Sequence, residues 1–462
     1  MLPKRSQRKT GNAIPFLLAS TLMGVFFPPI LSREDAVIST STKVVGIVII
    51  LYTALSIFCR REEWITHDIP LSGVTKTKIG VLWILGVFKC FFGFIHREIN
   101  WRCAKNDEYQ IVRDIGKFVS VVFTILQSVI ILYFHKHSFI NSKKIRVVIT
   151  SMVVTNLTVW LTGLVYCVTE KTSLDNSTYI EEVHNCTYVK ENNLETLIRY
   201  TDIFRLPFVM EFSVLATVLL ISTPITNETE TFSVSYSSDF NRYKELKVEE
   251  NISLTRLQKL SLSLAAFFLC SPFYIFDGVF FMYGYTFESR LPIWDYCHMV
   301  TKMVSFLLVL KIFYTLQKEA VIKTTNYHPS FSDVSLLASC FGITATSVVI
   351  VFIPEEQSFL SSFLCILNIF HIFYQTILMF FLKAVNFPRR NSKRLTSLKM
   401  YLAILICYNI TLWLWDFLVY LALIESFTSN YFYTSIYYVF YPLQSFYRFQ
   451  CAMKMINVYL KL

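Results

Sequence analysis

Charge is scarce in this sequence, and glycine is scarcer. Asp, Glu, Lys and Arg make up 16% of the 462 residues, against roughly 25% in soluble chains. A soluble domain covers its surface with charge, so this shortage excludes an ordinary water-facing globular fold. The 12 glycines fall far below the usual share of about 7%. No glycine-rich loop is present to line a metal-cation filter with carbonyls. The 11 cysteines are scattered, with neither a CxxC nor a Cys/His spacing of the zinc type, so no metal site is expected. No nucleophile or cofactor motif appears either, which makes an enzyme the least expected class and leaves no cofactor to assign.

What is abundant is apolar. Hydrophobic residues reach 54%, and the mean hydropathy is +0.48. The few charges are clumped between long uncharged stretches. Each stretch approaches the roughly 20 residues that cross about 30 Å of hydrocarbon. The net charge of +11 fits basic residues gathering in cytoplasmic loops. Without a separate basic domain or motif, no nucleic-acid partner is expected.

Twelve apolar runs are expected as helices, because lipid cannot satisfy an open backbone. The first six cover residues 13–31, 44–59, 80–95, 118–134, 147–168 and 203–222. The last six cover 260–284, 293–315, 332–353, 358–384, 399–423 and 431–455. Lys4, Arg5, Arg8 and Lys9 precede the first run, Pro28 and Pro29 interrupt it, and no clear cleavage site follows. It is therefore read as a span rather than a signal peptide. The predicted organisation is a six-helix half over 1–222, a cytoplasmic linker over 223–258, and a second six-helix half over 259–462.

Loop charge sets the orientation. The loop 135–146 carries Lys136, Lys143, Lys144 and Arg146, and the loop 385–398 carries Arg389, Arg390, Lys393 and Arg394, neither with an acid. Both are expected in the cytoplasm. The acid-rich loop 169–202 and the Glu355–Glu356 loop are expected outside, which leaves both termini cytoplasmic in a cell-membrane protein. Asn176 and Asn185 begin sequons in the outer loop, and are predicted glycan acceptors. Cys103 and Cys186 both fall outside and are free to pair there.

Two further sequon matches, Asn156 and Asn409, lie inside spans and need another explanation. It lies in an internal repeat. Asn156-Leu-Thr-Val-Trp160-Leu161 in the fifth run matches Asn409-Ile-Thr-Leu-Trp413-Leu414 in the eleventh. One run earlier in each half stand Gln127 and Gln375, each followed by a basic loop. The last run of each half carries a proline, Pro207 or Pro442. Six spans per half with an intracellular linker predict two parallel repeats about an axis along the membrane normal.

Polar groups inside spans face a partner helix or water, because lipid penalises them. The candidates are Gln127, Asn156 and Glu211 in the first half, and Gln375, Asn409, Asp416, Arg448 and Gln450 in the second. Lys89 and Asp277 lie nearer span ends. Asn156 and Trp160 share a helix face, as do Asn409 and Trp413, with Asp416 one turn further. Arg448 is expected to pair with Asp416 across neighbouring spans. Amides of this kind also serve as interhelical glue worth about 1 kcal/mol. A carboxyl such as Glu211 is harder to account for in that way.

Together these segments resemble the otopetrins. Thr155–Leu161 resembles the fifth-span motif of that family. Leu206-Pro207-Phe208-Val-Met-Glu211-Phe212-Ser213 resembles its Pro-Phe-x-x-Glu-Tyr-Ser segment. Asn409–Asp416, then Phe432-Tyr433, Pro442-Leu443 and Phe446-Tyr447-Arg448-Phe449, resemble its last two spans, and Gln127 and Gln375 fit as well. The likeness is specific in spans four to six and ten to twelve. It implies a proton-selective channel, responsive to external acid and built as a homodimer of two six-helix halves per subunit. In the family, candidate proton paths run through each half and at the interface between halves. The sequence departs from the pattern at Gln450-Cys451, where the family has His-Ser, and at Phe212, where it has tyrosine. Glutamine cannot titrate near neutral pH as histidine can.

On this reading Glu211 and Asp416 relay or gate protons, while Gln127, Asn156, Gln375 and Asn409 order water. The alternatives are a twelve-helix secondary transporter and, with less support, a chemosensory receptor of the insect gustatory type. The low glycine content weighs against the first, and the repeat against the second.

Overall fold

In the computed structural model the described residues are 35–59, 61–103, 108–172, 195–226, 255–283, 292–319, 321–322, 331–351, 359–386, 393–426 and 431–462. The first apolar run, Asn176, Asn185, Cys186 and the side chains of Cys103 and Asp277 lie outside them. The described residues are about 91% helical. Eleven long helices account for almost all of this: α1 Asp35–Cys59, α2 Gly73–Cys103, α3 Glu108–Lys136, α4 Lys143–Thr172, α5 Glu195–Ile221, α6 Arg256–Tyr283, α7 Pro292–Glu319, α8 Phe331–Val351, α9 Phe359–Ala384, α10 Lys393–Ser426 and α11 Tyr431–Tyr459. Each contains one of the remaining eleven apolar runs, give or take a terminal residue or two. Seven carry a stretch long and apolar enough to cross a membrane among the described residues.

The surface is the reverse of a water-soluble protein. Along α1, Val48, Leu51, Tyr52, Leu55 and Phe58 are exposed, the last at 88%. Along α3 and α4, Gln127 and Asn156 are buried at 0% and 1%. Apolar outside and amide inside is how a chain packs in lipid. The chain is a helical membrane protein.

Hydroxyls within the helices cost little, because the preceding turn satisfies them. Thr53 donates to the Ile49 carbonyl at 2.7 Å, Thr155 to Ser151 at 2.9 Å and Thr217 to Ser213 at 2.8 Å. Thr255 and Gln258 form a reciprocal capping box at the start of α6, which satisfies two otherwise orphaned backbone donors.

The chain divides into two compact units, Met1–Phe232 and Ser233–Leu462, except that Ser72–Lys76 belong with the second. In the first, α1 packs on α3 and α4, and α5 on α3 and α4. In the second, α7 packs on α9 and α10, and α11 on α8, α9 and α10. Short strands, which the hydropathy pattern does not reveal, join helix ends. In the first unit β1 Ile65–Asp68 runs antiparallel to β2 His137–Ile140, which runs parallel to β3 Ile225–Thr226. In the second, β4 Val321–Ile322 runs antiparallel to β5 Val385–Asn386. The Asp68 carboxylate bridges β1 and β2, with His137 Nδ1 at 2.6 Å and Arg61 Nη2 at 3.3 Å. The hydrogen bond with His137 is the largest cause holding this exposed carboxyl below its ordinary value.

Where glycine does occur inside a helix, packing can require it. A side chain on Gly46 of α1 would come 2.6 Å from Phe123 and 3.3 Å from Thr155. On α8, a Cβ at Gly342 would run into Leu443 of α11, whose Cδ1 lies 3.0 Å from that position. Overpacking of this kind costs about 1–3 kcal/mol. Gly342→Ala is therefore expected to lower the melting temperature of the purified protein, measured by fluorescence-detected unfolding in detergent. An unchanged transition would show that the helices separate freely at this point.

Candidate functional site

The second unit gathers its polar side chains into one buried column. Asn368, His371 and Gln375 recur on α9 at the three- and four-residue spacing that places them on one face. Gln444 and Arg448 do the same on α11. The chain therefore sets two polar stripes inside otherwise apolar helices.

At one level of the column, Gln375 Nε2 donates to Asn409 Oδ1 at 2.7 Å, and both residues are fully buried. Asn409 in turn donates to the Leu405 carbonyl at 2.8 Å. The Tyr447 hydroxyl lies 2.8 Å from Thr376 Oγ1 and donates to the Ile372 carbonyl at 3.0 Å. His371 Nε2 meets Ser305 of α7 at 2.9 Å.

Towards Asp416, Gln444 Nε2 donates to Asp416 Oδ1 at 3.0 Å, and Thr346 of α8 donates to Gln444 Oε1 at 2.8 Å. Arg448 Nη2 donates to Asn368 Oδ1 at 3.4 Å, and Asn368 donates to Ser347 at 2.8 Å. The expected ion pair between Asp416 and Arg448 is not made directly. Gln444, one turn before Arg448 on α11, occupies the near position on Asp416, and the two charges act on each other only at longer range.

Asp416 Oδ2, Arg448 Nη1 and His371 Nδ1 are buried with no protein partner. Buried polar atoms in a roomy polar site take water as partner. The spacing from Asn409 to Asp416 is about 10 Å along α10 at 1.5 Å per residue.

On the other side of Gln375 the interior turns apolar. Leu378, Leu382, Leu395, Leu398, Leu402 and Met455 are packed together and almost wholly buried. Past them Asp333 of α8, 2% exposed, holds two lysines: Lys383 of α9 and Lys454 of α11, the second at 2.7 Å. The sequence reading missed Asp333, along with Asn368, His371, Gln444, Ser305 and Thr376. Periodic spacing on α9 and α11 was the available signal for Asn368, His371 and Gln444. Ser305 and Thr376 had none, since hydroxyls are ordinary inside membrane helices.

The first unit holds the same motif residues in a different state. Asn156 donates to the Met152 carbonyl at 2.8 Å, the local bond that Asn409 also makes. Gln127 does not reach it, and neither amide atom of Gln127 has a protein partner. Glu211 is 4% exposed. Phe212, five residues after Pro207 as Tyr447 is five after Pro442, is fully buried and carries no hydroxyl. Lys89 of α2 lies over its ring, 4.4 Å from the centroid.

Gln450 stands apart from the column. It is fully buried on α11 with neither amide atom partnered. Two residues from Arg448, it points about 200° around the helix at 3.6 residues per turn. Among the described residues no group of three or more His, Cys, Asp or Glu side chains is arranged to hold a metal. No protein-family model matches this chain, and no curated protein matches it.

Proposed function

We propose that this protein is a proton channel of the otopetrin kind and that its second unit carries the proton. The observation supporting this most is the series of buried hydrogen-bonded pairs in the second unit: Asp416 with Gln444, Asn368 with Arg448, Gln375 with Asn409, and Thr376 with Tyr447. A proton needs no coordinating cage. It needs water held in line by amides, hydroxyls and an occasional carboxyl, and the partnerless atoms of Asp416, Arg448 and His371 supply sites for that water. The buried leucine layer below Gln375 gates this path by dewetting, which hydrophobic constrictions do in other pores.

The twelve-span, two-repeat architecture is part of the same proposal. Each helix pairing named above for the first unit has its counterpart in the second, at the same place in the order of six. In both, the strand after the second span pairs antiparallel with the strand after the fourth. The basic loops near those strands support a cytoplasmic side for them and for both termini, and the same proposal takes the protein to be a cell-membrane homodimer. Glu211 is then a gating or structural group of the first half, not the main relay.

The test is whole-cell patch clamp in sodium-free solution with steps to acidic external pH. An inward current that reverses with the proton gradient supports the channel. Absence of current at confirmed surface expression, with solute-dependent flux instead, would replace it by the transporter. Within that assay, Tyr447→Phe makes the second unit resemble the first, and is expected to lower the current about fivefold to tenfold, the effect of roughly 1 kcal/mol from losing the hydroxyl and its bonds to Thr376 and Ile372. Current unchanged by it would remove the hydroxyl from the path.

A further inference from the structure

On the second unit, α7 and α10 enclose an open groove of about 750 Å³ lined by Val304, Leu307, Leu308, Leu310, Lys311, Tyr314 and Tyr401. Most of its wall is apolar. Leu307 and Tyr314 are 57% and 50% exposed, so the groove opens on the surface of the unit. One end is cationic. Lys311, Tyr314 and Lys318 follow one another on one face of α7 at three- and four-residue steps. Lys311 Nζ lies 5.5 Å and Lys318 Nζ 4.2 Å from the centre of the Tyr314 ring, and Lys318 also donates to the Tyr314 hydroxyl. Arg394, in the first turn of α10, is near enough for its charge to act on that hydroxyl. The stretches Cys297–Lys318 and Lys393–Trp415 contain no Asp or Glu, and Glu319 closes α7.

We infer that this groove binds one anionic phospholipid, its acyl chain along Val304, Leu307 and Leu308 and its phosphate held by Lys311, Lys318 and Arg394. The occupant follows from the two ends taken together. A soluble anion would use the cations and leave the apolar floor bare, while an apolar helix would bring the ammonium groups of Lys311 and Lys318 into an apolar interface. A phospholipid satisfies both, and basic residues near a membrane surface attract anionic lipid by about 1 kcal/mol each. The volume lies within the range of small-molecule sites. The inference rests on the chain being embedded in a membrane and is independent of whether it conducts protons. In the orientation proposed above, the basic segment after α9 puts the site in the cytoplasmic leaflet, where such lipids are concentrated.

The full-length protein, purified in a mild non-ionic detergent, would be mixed with phosphatidylserine or phosphatidylcholine and examined by native mass spectrometry. Retained phosphatidylserine adducts are expected to exceed phosphatidylcholine adducts at least fivefold. Millimolar inorganic phosphate should not displace them. The triple variant Lys311→Gln/Lys318→Gln/Arg394→Gln, at side chains that are exposed, should lose the preference, while Lys143→Gln/Lys144→Gln/Arg146→Gln in the first unit should keep it. Leu307→Trp, which fills the groove and leaves the charges alone, should also reduce adducts. Equal binding of the two lipids, displacement by free phosphate, or full retention by Leu307→Trp would overturn the site.

Discussion

Gln375→Leu is expected to reduce the acid-evoked current about a hundredfold or more, whereas Gln127→Leu is expected to change it less than twofold. The two glutamines occupy matching places in the sequence repeat, so sequence alone ranks them equally. Geometry does not. Gln375 donates to Asn409 at the end of the polar column, directly above the buried leucines. A leucine there would extend the apolar layer by a turn and break the line of water, and a charge crossing dry apolar protein meets a barrier of several kcal/mol. Each 1.4 kcal/mol is a factor of ten. Neither amide atom of Gln127 has a hydrogen-bond partner in the protein, so its loss breaks no such bond. Gln375→Leu also strands Asn409 Oδ1 at about 1–3 kcal/mol. Current must therefore be normalised to surface protein by biotinylation. Comparable losses from both variants would mean that both units conduct, and loss from Gln127→Leu alone would move the path to the first.

Arg448→Met is expected to be the most damaging single substitution for folding in the second unit. Asp416 and Arg448 are 2% and 4% exposed. Removing Arg448 takes away the cation whose charge acts on Asp416 and strands Asn368 Oδ1, the latter alone costing about 1–3 kcal/mol, a sizeable share of a typical stability. Little protein should reach the surface. Adding Asp416→Asn should recover a substantial part of it, because the neutral amide still accepts from Gln444 and no longer needs a cation. Size-exclusion profiles of fluorescent fusions would measure this, and a double variant no better than the single would show that the two charges are not coupled.

The two results depend on different kinds of legibility. Helices could be read because lipid leaves the backbone no other choice, and every apolar run from the second onward lies on a helix. Their ends could not, because helices run on into water: the run at 80–95 sits within Gly73–Cys103, past Lys76, Lys78, His96 and Arg97. Gln375, Asn409, Asp416 and Arg448 stood out as polar groups in apolar surroundings, and the structure brings them into one column. Which of them touch was beyond periodicity. The register of α10 against α11 gives Asp416 to Gln444 and not to Arg448, and a difference of one turn would have reversed that. The inequality of the two halves was equally hidden, since Gln127 and Gln375 differ only in whether a neighbour lies within reach. Asp333 escaped notice because an acid at the start of a helix usually faces water.

That acid also bears on how the chain is assembled. Asp333 lies on α8, and its two lysines lie on α9 and α11. A ribosome delivers these helices in order, so Asp333 can meet Lys383 as soon as the second helix enters the bilayer. Lys454, 121 residues after Asp333, arrives only with α11. Until then the carboxylate is held from one side only, and α10 must be accommodated beside an incomplete bundle. The final helix thus completes an electrostatic latch as well as the packing. A nascent chain stalled before residue 454 should remain recognisable to membrane quality control as unfinished, even with every earlier span in place.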